Sequence, residues 1–140
     1  MTATIDLSPA PGRYGPYDTE LELRDGTAVA ITTTTAETGI ALAVRSLPTF
    51  SAVVNVTAFD HTTGDETYVV SIETDSAIAF GSPVEVGSIT VTATGTYEIP
   101  LSGPAIAQRD STAAAIRVKA TLGGTTPSLS YGAWLAPDNF

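Results

Sequence analysis

The residues with the greatest chemical capacity lie together in the segment HTTGDE, which runs from His61 to Glu66. The segment contains the only histidine of the chain and follows directly on Asp60. Such a set could serve a catalyst, or its carboxylates could bind a calcium ion. A catalytic His61 would need a nucleophile and an orienting partner. Calcium prefers six to eight oxygen ligands, and the spacing here does not match an EF-hand loop.

The composition of the same segment is also that of a turn. Gly64 can supply a positive φ angle, and Asp60 and Asp65 can cap backbone amides. This explanation uses every residue type in the segment except His61. The sequence therefore predicts a structural turn rather than a metal or catalytic loop.

The rest of the chain offers no alternative catalytic pattern. It contains no cysteine, no G-x-S-x-G elbow and no lysine in its glycine-rich LGGTTP segment. Glu20 and Glu22 share one face of a predicted strand, a placement typical of a solvated edge. We therefore expect a protein that is not an enzyme and that uses no metal or other cofactor.

The elements that must position these residues are predicted to be strands, because apolar and polar residues alternate with period 2 almost throughout. Turn signals such as RDGT, AETG, FGSP and LSGP separate the strands. Many short strands of this kind predict an all-β antiparallel sandwich or jelly roll with almost no helix. The nine predicted strands are 19–23, 27–34, 39–45, 50–59, 67–74, 85–94, 96–101, 114–122 and 128–135.

Three consecutive strand pairs are predicted to be hairpins, since their apolar faces match when the strands lie side by side. The first pairs 50–59 with 67–74 and places Ala58 opposite Tyr68. The second pairs 85–94 with 96–101, and the third pairs 114–122 with 128–135.

Length and charge limit the possible partners. The 140 residues suit one domain, and the net charge is −9 from fifteen acidic and six basic residues. Such a chain should be repelled by nucleic acid and by anionic membranes. No apolar run approaches the roughly 20 residues of a membrane span, and the start of the chain does not resemble a signal peptide.

The two ends of the chain hold the candidate interaction residues. Residues 1–18 are rich in Pro and Gly, and they are predicted to form an extended arm outside a domain of residues 19–140. The arm is either a frayed terminus or a segment that lies along a neighbouring subunit, anchored by Tyr14 and Tyr17. Trp134 alternates with the predicted core residues of its strand and should point outward, unless both faces of that strand are covered. Phe140 could pack against a partner.

Three long segments carry a resemblance to a known family. They are FSAVVNVTAFDHTTGDETYVVSIETD, FGSPVEVGSITVTATGTYEIPL and AAIRVKATLGGTTPSLSYGAWLAP, which together span most of residues 50–137. In these segments the chain resembles the small jelly-roll decoration proteins, or capsid cement proteins, of tailed bacteriophage heads.

The resemblance implies an antiparallel jelly roll that assembles as a homotrimer on the outside of an icosahedral shell. It implies binding to the major capsid protein and reinforcement of the shell, with no cofactor. The expected location is the outer surface of the virion, after synthesis in the cytoplasm of a host bacterium.

The alternative function is a carbohydrate-binding or adhesin module on a phage particle, since jelly rolls also host such sites. That function needs aromatic side chains aligned on one exposed face. Tyr131 and Trp134 are predicted on opposite faces of their strand, which disfavours a stacking platform.

Overall fold

The computed structural model describes residues 19–137, which form an all-β sandwich of two antiparallel sheets. The predicted arm of residues 1–18, with Tyr14 and Tyr17, lies outside the described residues, as does Phe140. The nine strands are β1 (Glu22–Arg24), β2 (Thr35–Ala36), β3 (Ile40–Ala41), β4 (Thr49–Phe59), β5 (Thr67–Asp75), β6 (Val84–Thr90), β7 (Gly95–Ser102), β8 (Ala115–Gly123) and β9 (Leu129–Pro137).

The strand order is that of a jelly roll. One sheet, here called sheet A, has the order β1-β9-β4-β7, and the other, sheet B, has the order β2-β8-β5-β6 with β3 also paired to β8. Two such sheets, each combining early and late strands, make the double Greek key that defines the jelly roll. The predicted all-β antiparallel fold is therefore confirmed.

The three predicted hairpins are wrong. β4 lies in sheet A and β5 in sheet B, and the same separation holds for β6 and β7 and for β8 and β9. Val54 pairs with Tyr97 and Ala133 in its own sheet, whereas Val70 pairs with Ile89 and Ala120 in the other. The apolar faces of successive strands meet across the core rather than side by side. Matching apolar faces satisfies either arrangement equally, so the pattern did not distinguish them.

The core lies between the two sheets and is built from the inward-facing residues of the long strands. β4 contributes alternate positions, and β5, β8 and β9 do the same. Removing such side chains from water is the main stabilising term of the fold, about 1.5–3 kcal/mol for each large one. The largest fully buried side chains that belong to this core are Tyr68, Tyr131, Ile72, Ile106, Ile116, Leu129, Val44, Val54, Val56, Val70 and Val118.

Three predicted strands near the start of the domain are also wrong in extent. In the first, 19–23, Thr19–Leu21 forms a 3₁₀ turn and only β1 (Glu22–Arg24) is a strand, so Glu20 does not share a strand face with Glu22. Residues 27–34 form a loop with one isolated bridge, between Ile31 and Leu129. Asp25 accepts hydrogen bonds from the Thr27 amide and hydroxyl, both at 2.8 Å, which stabilises a turn where the pattern predicted a strand. Residues 39–45 form only the short β3 before a 3₁₀ turn at Val44–Ser46.

One helix, α1 (Gly103–Arg109), follows β7 where only a turn was predicted. Ser102 caps its first turn by accepting a hydrogen bond from the Ala105 amide at 3.2 Å, and a proline lies in that turn. Ile106 is buried and anchors the helix to the core. None of the helices in the described part of the chain is long and apolar enough to cross a membrane.

Arg24 fastens one edge of the sandwich. Its guanidinium is almost completely buried and donates hydrogen bonds to the Tyr131 carbonyl (3.0 Å), the Glu37 carboxylate (2.8 Å) and the Val29 carbonyl (2.8 Å). Its charged group also lies 4.8 Å from the centre of the Tyr131 ring. One side chain thus joins β1, β9, the loop after β1 and the segment after β2.

Candidate functional site

The segment from Asp60 to Glu66 connects sheet A to sheet B and has the turn chemistry predicted for it. Asp60 accepts a hydrogen bond from the Thr62 amide at 2.8 Å, and Gly64 has a φ angle of +90°. Asp65 accepts from the amide (3.0 Å) and the hydroxyl (2.8 Å) of Thr125, in the loop between β8 and β9. Both aspartates therefore cap backbone amides, although the strands that they join are not paired.

These hydrogen bonds stabilise the charged form of the aspartates. The Thr125 amide and hydroxyl hold the pKa of Asp65 below its ordinary value. For Asp60, bonds from the Thr62 side chain and amide lower the pKa. Both carboxylates are thus committed as acceptors to the turn and its neighbouring loop.

Glu66 is the unexpected member of the segment. Its side chain is fully buried immediately before β5, and Oε1 accepts one hydrogen bond from the Gly64 amide at 3.0 Å. Oε2 is buried without a hydrogen-bond partner. The nearest cationic candidate is His61, whose Nδ1 lies 3.9 Å from Oε1 and whose side chain is 58% exposed.

The sequence contains a signal for this burial that the turn interpretation missed. Glu66 has the same parity as Tyr68, Val70 and Ile72, the inward-facing residues of β5. Period 2 therefore directs its side chain inward rather than into solvent. The aspartates, which do cap the turn, are exposed or only partly buried.

A pocket of about 210 Å³ opens beside Glu66. Its walls combine aromatic, aliphatic and hydroxyl-bearing side chains from the end of β4, the 60–66 segment, the start of β5, and the end of β6 with the two residues after it. The rings of Phe59 and His61 lie on one side of the pocket, with their centres 6.3 Å apart. The Tyr68 hydroxyl donates to the Asp60 carbonyl at 2.5 Å and accepts from the Ser128 amide at 3.1 Å, which fixes the ring. The lining residues are Phe59, His61, Glu66, Thr67, Tyr68, Thr90, Val91 and Thr92.

The calcium hypothesis gains no support from this geometry. Within residues 19–137, no three His, Cys, Asp or Glu side chains converge in a manner that could hold a metal ion. The oxygens of Asp60 and Asp65 bond to different backbone segments instead.

A second, apolar groove of about 270 Å³ lies at the opposite end of the sandwich, where β4 begins and β9 ends. It is lined by Leu21, Leu42, Leu47, Pro48, Thr49, Phe50, Leu135, Ala136 and Pro137. Its surface is almost wholly hydrocarbon, so it offers little polar surface that would orient a ligand or select one chemically.

Trp134 lies in β9 between Glu22 of β1 and Val53 of β4. Its neighbours in sequence, Ala133 and Leu135, belong to the core, and Trp134 does not. The ring therefore belongs to the outward face of sheet A, where it is half-buried. The structure does not bring Trp134 together with the 60–66 segment.

The arginines of the described residues all donate hydrogen bonds within the fold, and the one lysine lies near a carboxylate. Arg117 donates to Glu73 at 2.8 Å and stacks over Phe80 at 4.4 Å, and Lys119 lies 4.0 Å from the same carboxylate. Arg45, Arg109 and Arg24 donate to backbone carbonyls. With a net charge of −9, the surface thus offers mainly carboxylates to a partner.

The fold and its strand order place the described chain in the class of double-sheet jelly-roll proteins. Comparison with protein-family models, with curated proteins and with solved structures gives no match.

Proposed function

We propose that this chain is a structural virion protein that decorates the outer surface of a tailed-phage capsid and stabilises it by bridging major capsid subunits. The observation that carries the proposal is the jelly-roll strand order. The segments that resemble the capsid cement proteins form β4 to β9, which supply most of both sheets. Fold alone does not establish function, so the proposal also rests on the surface.

The surface charge supports a protein partner rather than nucleic acid. The described arginines donate hydrogen bonds within the fold, and the net charge is −9. A surface of this kind is complementary to basic groups on a partner, and its association should weaken as salt concentration rises.

Stabilisation of a shell follows from binding alone. A ligand that binds the assembled shell and not its dissociated subunits stabilises the assembly by RT ln(1 + [L]/Kd). Copies that each touch several subunits, or that associate as the proposed homotrimer, multiply the effect through avidity.

The test is co-sedimentation of the protein with expanded empty capsids, followed by heating of the shells with and without it. We expect bound protein and a higher disruption temperature. Deletion of residues 2–15 and the variant Trp134→Ala should each weaken shell binding clearly. Each should change the melting temperature of the free protein only slightly. Glu85→Gln serves as a control for a general change of surface charge.

Absence of binding, or binding without a change in disruption temperature, would contradict the cement function. A glycan array would then test the carbohydrate-binding alternative, for which the half-buried Trp134 is the side chain to follow.

A further inference from the structure

We propose that the pocket beside Glu66 binds a basic side chain, lysine or arginine, presented by a partner protein. The inference does not depend on the partner being a capsid subunit. It follows from a buried carboxylate oxygen without a donor, at the wall of a pocket sized for one side chain.

The first step concerns the carboxylate. A buried charge is costly unless it is paired and hydrogen-bonded. Glu66 Oε1 has the Gly64 amide at 3.0 Å, and Oε2 has no hydrogen-bond partner. A guanidinium or an ammonium group supplies both the missing donor and the opposite charge.

The second step concerns the walls. Phe59 and Tyr68 meet edge to face with their ring centres 5.6 Å apart, and Val91 adds an aliphatic surface. The methylene stem of lysine or arginine packs against such surfaces, and a cation is attracted to aromatic faces. The walls therefore suit the stem, and the carboxylate suits the charged end.

The third step concerns size. The pocket measures about 210 Å³, below the roughly 300–1,000 Å³ of sites for drug-sized ligands. A single side chain is the ligand class that such a volume accommodates. Glycans and nucleotides would project far beyond it.

The fourth step concerns access. His61 lines the pocket, its side chain is more than half exposed, and its Nδ1 is 3.9 Å from the carboxylate, beyond hydrogen-bond distance. Because the Glu66 side chain is fully buried, the proposal requires this exposed ring to turn toward solvent as a ligand enters. The ligand then takes the position beside Glu66 that the imidazole only approaches.

The experiment is a titration of the folded protein with N-acetyl-argininamide and N-acetyl-lysinamide, followed by amide chemical shifts in NMR spectra. The neutral control ligand is N-acetyl-citrullinamide, which has nearly the shape of the arginine compound. We expect saturable shifts at Gly64, Glu66 and residues 90–92 with the basic compounds. The citrulline compound should bind about tenfold or more weakly, because it cannot form a charge-assisted bond.

Two variants locate the charge. Glu66→Gln keeps the side-chain shape and should weaken binding of the arginine compound to the level of the citrulline compound. Glu85→Gln removes the same charge near the other end of β6, about 17 Å along the strand, and should leave binding unchanged. Equal binding of arginine and citrulline compounds to the unmodified protein, or no shift with either, would overturn the proposal without reference to any variant. Retained binding in a folded Glu66→Gln protein would overturn it as well.

Discussion

At the scale of single residues, few charged side chains of the described residues are buried, and most of those that are have hydrogen-bond partners. Arg24 bonds three backbone or carboxylate acceptors, and Glu73 bonds Arg117. Glu66 has only one backbone donor. The contrast between these residues marks Glu66 as the position where a further partner would be most favourable.

Arg24→Ala should lower the free energy of unfolding by about 3 kcal/mol or more, because it leaves the buried Tyr131 carbonyl without its donor and removes the partner of Glu37. Urea unfolding followed by tryptophan fluorescence measures the change. Arg109→Ala is the matched control, since that exposed arginine makes one long hydrogen bond of 3.4 Å to the Glu85 carbonyl. A loss of only about 0.5 kcal/mol for Arg24→Ala, the range of ordinary surface sites, would show that the hydrogen bonds of Arg24 are not needed for stability.

The sequence predicted the residue roles unevenly. Residue type alone identified Asp60, Asp65 and Gly64, since their turn chemistry is local. Glu66 was assigned to the same turn, although it immediately precedes β5 and has the same parity as the inward-facing residues of that strand. The roles of Arg24 were not predictable, because its acceptors lie 5, 13 and 107 residues away along the chain.

At the scale of elements, the long strands followed the pattern and the short segments did not. β4 to β9 each begin and end within a few residues of the prediction because their alternation extends over seven or more residues. α1 was missed although Ser102 and the following proline form a helix start signal. The prediction of strand pairing failed because two matching apolar faces can meet either side by side in one sheet or across the core between two sheets, and the sequence pattern does not distinguish these arrangements.

Gly103→Ala should destabilise the protein, because a Cβ atom at this position would collide with the backbone carbonyls of Leu47 and Arg45. Gly103 is buried where α1 begins, and its amide donates to the Leu47 carbonyl at 3.0 Å. We expect a loss of about 1–3 kcal/mol, the usual range for overpacking, measured by thermal unfolding.

Gly81→Ala provides the comparison for this prediction. Gly81 is exposed, has no φ angle in the left-handed region and would place its Cβ in open space. The melting temperature of the Gly81→Ala variant should stay close to that of the unmodified protein. Equal melting temperatures for the two variants would mean that α1 can move away from residues 45–47 without loss of stability.

At the scale of the whole molecule, acid should unfold the protein through its aspartates. Hydrogen bonds from the Ser82 and Ser76 amides lower the pKa of Asp75, and those from Thr125 lower that of Asp65. A carboxyl group whose pKa is lower in the folded protein than in the unfolded chain stabilises the fold at pH values above the ordinary pKa of 3.8. That stability is lost as pH falls through the folded pKa.

Urea unfolding between about pH 6 and pH 2.5 tests this dependence, with the ordinary aspartate pKa as the reference point. Asp75→Asn should flatten the loss of stability below about pH 4, since the variant has one fewer depressed carboxyl to protonate. Acid also neutralises the net charge of −9, which acts in the opposite direction by relieving repulsion. The comparison with Asp75→Asn separates the two effects, and identical pH profiles for both proteins would contradict the assignment.

The strand order has a consequence for how the chain is made. β9 lies between β1 and β4, and β8 lies between β2 and β5, so each sheet receives its late strand in the middle. A growing polypeptide on the ribosome has therefore made β1 and β4 before the strand that joins them exists. Their apolar faces remain exposed for several seconds, since residues are added at about 5–20 per second. We therefore expect the fold to be completed by a late, cooperative insertion of β8 and β9, and we expect the nascent chain to be the stage at which a chaperone is most useful.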